Sequence, residues 1–282
     1  MTGSLALRVA LRDGTSVVVG QRHSGALRLL RPLHLDDSGQ VAVTVVNPGG
    51  GILGGDRYAL EASVEAGADL LLTTQSATKV YRTPEDHAES VQRFTLGAEA
   101  RLESVPDSVI PFAGARFRQS TEVRMDPTAS LAIAEITTPG WSPDGTAYAF
   151  DELTLTTRVR FTEGASDAGA GRLVLHDRLR FLPAIDAPAA RHLTQGFSHL
   201  ATLVLIDPRC DAAAITALRG AVGALEPPSG GTLVGATALA VPGVVVRALT
   251  RSTPAAQRIL LSALDWARRH WRGQGRLDLR KP

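Results

Sequence analysis

The sequence is short of several residue types, and each shortage excludes something. It has one cysteine, Cys210, so no disulfide closes within the chain and no zinc site is built from its own cysteines. Aromatics make up 5% and methionines number two, so the core has to come from Val, Leu, Ile and Ala. No apolar run approaches the roughly 18 residues that a membrane-spanning helix needs. Met1-Thr2-Gly3-Ser4 leads straight into alternating Leu and Val, without the charged start and apolar stretch of a secretory leader. These absences give the expectation of a cytoplasmic protein with no membrane partner.

Familiar catalytic and nucleotide signatures are missing too. There is no Gly-Lys-Ser/Thr, no GxGxxG, no GxSxG elbow and no HExxH or HxH pair. The histidines are His23, His34, His87, His176, His192, His199 and His270. His192 and His199 are seven apart and Cys210 lies eleven further on, a spacing that gives no convergent set of metal ligands. No tightly bound cofactor is expected.

What is present is enough apolar material, 44% of 282 residues, for a substantial core. Leu153, Leu155, Thr157, Val159 and Phe161 alternate strictly, as do Tyr58, Leu60, Ala62 and Val64, and Leu173, Leu175, Leu179 and Phe181 resume the pattern. Period two with Gly and Pro punctuation predicts strands. In Ala129–Ile136 both faces are apolar, Leu131 and Ile133 on one and Ala132, Ala134 and Ile136 on the other, which predicts a strand buried between two layers. Ala68-Asp69-Leu70, Ala100-Arg101-Leu102 and Ala129-Ser130-Leu131 recur at separations of 32 and 29 residues, a period that suits a solenoid-like stack and also an ordinary meander. Two helices are expected in the C-terminal part. One is capped by Asp211, with Ile215, Leu218, Val222 and Leu225 as its stripe. The other starts at Thr253 and Pro254, with Leu260, Leu264, Ala267 and Trp271 on one side. The expectation is a single domain over residues 1–282, mainly β, layered and solenoid-like, ending in a mobile tail over residues 273–282.

Charge is unevenly placed. The net charge is +2, yet Arg251–Pro282 holds eight Lys+Arg against two Asp+Glu. A basic end can mark a nucleic-acid site, but no aromatic-studded module accompanies it, and a solvated helix face is the plainer reading. Arginine outnumbers lysine 28 to 2, which singles out Lys79 as a compact ammonium in an arginine-using chain.

Three polar motifs are candidates for a site. The first is Asn47-Pro48-Gly49-Gly50-Gly51-Ile52-Leu53-Gly54-Gly55-Asp56-Arg57. A phosphate cradle needs such a loop to open a helix; a predicted strand follows here, so a tightly packed turn is the stronger reading. The second runs from Thr73-Thr74-Gln75 to Lys79-Val80-Tyr81-Arg82. Its hydroxyls, amide and cations can line a polar cavity or cap a strand end. The third contains Glu103 and Asp107, which, with Asp56, are the acid/base candidates if the chain is a β-solenoid enzyme.

In this order the three motifs resemble the urease accessory protein UreD (UreH) family. The resemblance rests on Gly50, Gly51, Gly54, Gly55 and Asp56, then on Thr73, Thr74, Gln75, Lys79, Tyr81 and Arg82, then on Leu102-Glu103, Pro106, Ile110, Phe112, Gly114-Ala115-Arg116 and Gln119. It implies a non-enzymatic scaffold that binds UreF, UreG and the urease apoprotein and passes nickel in transit along a polar internal path. Asp56, Thr74, Gln75, Lys79 and Tyr81 are the candidate path residues, the four glycines shape the motif, and no nucleic acid is involved. A purely structural adaptor with no metal path is the other non-enzymatic alternative. One departure stands out. Where many relatives carry a Gly-Arg…Gly-Glu segment, this chain has Thr138–Thr146, leaving Asp144, Asp151 or Glu152 to fill that polar role.

Overall fold

The computed structural model describes residues 2–162, 171–185, 196–225 and 230–279. The chain opens with a long hairpin, β1 (Thr2–Arg12) and β2 (Thr15–Gly25), and two short strands, β3 (Arg28–Leu29) and β4 (Leu33–His34). Then it winds. Strands β5 (Val41–Val46), β7 (Asp69–Thr74), β10 (Arg101–Val105) and β13 (Ser130–Thr137) stack in parallel in one sheet. Strands β6 (Arg57–Val64), β9 (Ala88–Leu96), β12 (Arg116–Met125) and β14 (Glu152–Phe161) stack in parallel in the other. The corner strands β8 (Thr78–Val80) and β11 (Val109–Pro111) pair with each other between the two sheets' runs. Each coil thus contributes one strand to each sheet, the arrangement of a β-solenoid.

The far end is antiparallel. β15 (Arg172–Phe181) closes the sheet of the opening hairpin at its opposite edge, and β16 (His199–Ile206), β18 (Gly243–Thr250) and β17 (Thr232–Ala238) extend the other. Helices α1 (Ala212–Gly223) and α2 (Thr253–Arg272) lie outside the larger sheet.

The apolar pattern explains the layering. Leu131 and Ile133 belong to the core between the sheets, while Ala132, Ala134 and Ile136 belong to the core between the larger sheet and the helices. That sheet is buried on both faces, as the two-faced strand predicted. The recurring triplets stack in register, with Leu102 beside both Leu70 and Leu131.

Three local expectations are corrected. The cap of α2 is Ser252, whose Oγ accepts from the Ala255 N–H; Thr253 is already helical. Leu173 is 44% exposed, because a bulge between Val159 and Arg160 shifts the β14–β15 register and turns Leu173 away from the core. The described part of the expected tail, 273–279, packs back on α2: Leu277 is buried and its N–H donates to Asp265 Oδ1 at 2.8 Å.

Candidate functional site

Parity along the strands decides which side chains enter the space between the sheets. Tyr58, Phe94, Phe117, Leu70 and Leu102 fill it with apolar groups. Further along the same inward positions, the residues turn polar: Thr74 on β7, Ser104 on β10, Ser90 and Gln92 on β9, and Gln119 on β12. These border a cavity of about 130 Å³ beneath the loop that joins β5 to β6. Its rim carries the exposed Gly50, Gln75, Ser76 and Lys79. The lining is mixed, with Leu27, Ile52, Leu72 and Phe117 beside the hydroxyls and amides; a water in such a cavity needs two or more polar partners, which these side chains offer.

The polar positions continue past the cavity. Gln92 Nε2 donates to Gln119 Oε1 at 3.4 Å, and Thr121 Oγ1 donates to Gln92 Oε1 at 3.4 Å. From β12 the row crosses to the facing sheet, where Gln119 Nε2 donates to Glu135 Oε1 at 3.3 Å. Beside Thr121 in register is Thr157, and beside that Asp177. Beside Glu135 is Thr202, and beside that Arg247. The row ends on the Arg247–Asp177 ion pair, 2.6 Å, at a cleft of about 520 Å³ between the sheets. Thr157 Oγ1 is buried with no hydrogen-bond partner among the described residues. Burial, and then the charge of Asp177, push the Glu135 carboxyl up to about 7.

The expected path residues divide. Thr74, Gln75 and Lys79 border the cavity, as do Gly50 and Gly51; Asp56, Tyr81, Gly54 and Gly55 do not. Asp56 is 1% exposed and faces its own loop. Its Oδ2 accepts from the Leu53 N–H at 2.9 Å and from the Tyr58 hydroxyl at 3.3 Å. It closes the glycine turn because the backbone N–H there, curled away from any strand, needs a local acceptor. Thr74 is partly engaged as well, its Oγ1 accepting from the Asp107 N–H at 2.9 Å.

The three carboxylates of the enzyme reading are not brought together. Asp56 serves its turn, Asp107 meets Thr74, and Glu103 lies under α2, paired with Arg268. Nor does the departing loop supply a substitute at the cavity. Asp144 binds Ser142 Oγ and the Thr146 N–H within its own turn, Asp151 pairs with Arg116 at 3.2 Å, and Glu152 takes Arg118 with two bonds of 2.9 Å.

Gln92, Gln119, Glu135, Asp177 and Arg247 escape a sequence reading based on motifs. Their signal is positional: each is a polar residue at the same parity as an apolar core residue two positions away, Phe94 for Gln92, Phe117 for Gln119, Ile133 for Glu135, Leu175 for Asp177 and Val245 for Arg247. Cys210 is buried, and burial, then the charges of Asp207 and Asp211, push its thiol up to about 11, so it stays protonated at neutral pH. His199 is drawn below its ordinary value by burial, and His192 lies outside the described residues. Among the described residues, no three His, Cys, Asp or Glu side chains converge as a metal cage.

The model of the UreD urease accessory protein family matches residues 1–281. The chain belongs to that family. It is 42% identical over 279 residues to a protein named urease accessory protein UreD from Arthrobacter sp. (strain FB24), spanning 99% of this chain and 94% of that one. It is likewise 42% identical over 289 residues to the UreD protein of Actinomyces naeslundii, spanning 99% and 98%. A more distant UreD protein, from Bacillus sp. (strain TB-90), is 30% identical over 280 residues, spanning 99% and 98%. Membership of the UreD family therefore covers both sheets, α1, α2 and the whole polar row.

Proposed function

We propose that this UreD family member is a non-enzymatic accessory protein that delivers nickel to apo-urease in the cytoplasm, in a complex with UreF, UreG and the urease apoprotein. The observation that carries this reading is the polar row between two otherwise apolar sheets, from the cavity at Thr74 and Gln92 to the cleft at Asp177. Buried amides and hydroxyls are costly in an apolar core unless they bond to one another or to water, and a fold that needed only stability has Leu and Val available there. Amide, hydroxyl and carboxylate oxygens with water suit a divalent cation that moves on, whereas convergent imidazoles or thiolates hold it. Nickel is thus cargo, and the path is Thr74, Gln75, Gln92, Gln119, Glu135 and Asp177. Asp56 and Tyr81 shape the entrance without bordering it.

Gln119→Leu tests this by closing the row at its crossing point with a side chain of similar size. Co-expressed with urease and the other accessory proteins, this variant is expected to assemble normally and to yield urease with severalfold less activity. Full activity with an assembled complex would leave the chain as a structural adaptor without a metal path.

A further inference from the structure

Lys79 borders the cavity, yet the proposed path makes no use of its charge. It is one of two lysines in the chain and stands exposed at the rim. It forms no ion pair among the described residues. It is also the one charged residue of the lining: among the described residues, no Asp or Glu borders the cavity. Two carboxylates touch lining residues without bordering it. Asp107 Oδ2 lies 3.5 Å from Thr74 Oγ1 and faces a separate cavity under α2, and Glu135 accepts from Gln119 further along the row. The formal charge at the cavity is therefore that of a single ammonium, which attracts an anion and repels a bare dication.

The hydrogen-bonding groups have the same bias. Ser104 is 6% exposed. Its neighbours in register are Leu72 and Ile133, both in the core between the sheets, so its side chain points into that space. Its hydroxyl has no hydrogen-bond partner among the described residues, and a buried hydroxyl left alone is costly. Gln92 Oε1 accepts from Thr121 and Gln119 Oε1 accepts from Gln92, while each amide uses only one of its two N–H groups. With the oxygens engaged along the row, the amides have N–H left to give. Leu72 and Phe117 supply an apolar wall. The volume, about 130 Å³, is close to that of a cavity of about 150 Å³ that admits benzene, so the space takes about four to six heavy atoms.

We infer that this cavity binds a small monocarboxylate of acetate or propionate size, its oxygens held by Lys79, Ser104 and the spare N–H groups of Gln92 and Gln119, and its short carbon end against Leu72 and Phe117. One ammonium balances one negative charge, which selects a monoanion over a phosphate dianion. The apolar wall selects a carbon end over a halide. Hydrogen bonds from a charged donor to a carboxylate are the strong ones. Binding of the anion rests on the cavity alone. Its consequence for the cargo rests on the reading of the row as a nickel path: a bound carboxylate cancels the repulsion from Lys79 and adds a charged oxygen ligand where the lining has only neutral ones.

The test is calorimetric titration of sodium acetate and sodium propionate into the full-length chain at constant ionic strength, with chloride as the balancing anion and phosphate as the comparison. Saturable binding at one site per chain is expected. Lys79→Met is expected to weaken it about tenfold, and Ser104→Val severalfold, both at unchanged thermal unfolding. No saturable binding of either carboxylate overturns the inference. So does a site that survives both substitutions, because the anion then lies elsewhere. So does phosphate bound as tightly as acetate, because the site then reads charge alone. Should Ser104→Val unfold, Lys79→Met, at an exposed position, decides alone. Nickel loading of urease separates the two readings. If acetate binds and Lys79→Met loses it, while Gln119→Leu still loads nickel, the anion site stands and the path fails. If neither carboxylate binds, while Gln119→Leu blocks loading, the path stands and the anion site fails.

Discussion

Glu135 is where the cost of the polar row is concentrated. Its carboxyl, ordinarily near 4.5, is raised to about 7 by burial and by Asp177. Between those values the folded protein keeps a proton that the unfolded chain has released. Stability from this group is therefore greatest at low pH, falls as pH rises from about 4.5 to about 7, and is level beyond. Glu135→Gln is expected to abolish that slope and to stabilise the protein by about 1–2 kcal/mol at pH 8, less than the full shift implies because the residue keeps some solvent contact. Urea unfolding of both proteins at pH 5 and pH 8 checks this; equal slopes would contradict it. Asp56 makes the opposite contribution. Asp56→Ala leaves the Leu53 N–H and the Tyr58 hydroxyl without their acceptor and is expected to lower stability by about 1–3 kcal/mol. Asp56→Asn keeps an acceptor oxygen and is expected to recover at least half of that loss. A variant as stable as the parent would remove Asp56 from the turn.

At the scale of elements, α2 is fixed to the larger sheet by more than its apolar stripe. Arg268, 2% exposed, pairs with Glu103 and donates to Gln40 Oε1 at 3.0 Å and Asp36 Oδ2 at 3.2 Å. Arg101 joins Asp69 at 3.0 Å and Gln274 at 2.6 Å, and Arg272 meets Asp207 at 2.8 Å. Charges buried in pairs add little net stability, yet removing one member leaves the other uncompensated. Arg268→Met is expected to cost about 3–5 kcal/mol, and the double variant Arg268→Met/Glu103→Leu to recover most of it, since Arg101 retains Asp69. Denaturant melts of the two variants decide; a double variant no better than the single one would mean that the pair is not the unit. These elements also show what a sequence reveals. Strands with strict alternation, the two-faced Leu131–Ile136 strand and the triplets at Leu70, Leu102 and Leu131 were legible because periodicity follows from backbone geometry alone. The bulge that exposes Leu173 was not, because register depends on the partner strand. The sequence placed the start of α2 one residue late, at Thr253, because Ser252 and Thr253 offer equivalent hydroxyls and only the backbone shows which one caps. Arg268 read as a solvated cation near a helix end, since its partners lie 165 and 228 residues away in sequence.

Over the whole molecule, the basic C-terminal segment divides: Arg268 and Arg272 serve the ion pairs beneath α2, while Arg251, Arg258, Arg269 and Arg276 are exposed on the surface. The motif at Thr74–Lys79 was legible as a polar strand end and does border the cavity, whereas the rest of the row was hidden, because Gln92, Gln119 and Glu135 look like outward-facing residues until the two sheets close over them. The solenoid gives that row its continuity, since stacking in register sets inward side chains of neighbouring coils about 5 Å apart. The central claim is that nickel reaches urease along it. The most direct measurement is nickel bound per urease active site, by metal analysis, after co-expression with the intact chain, without it, and with a Gln92→Leu/Gln119→Leu variant whose assembly with urease is verified. The account predicts full occupancy with the intact chain and low occupancy in both other cases. Full occupancy with the doubly substituted, assembled chain would contradict it.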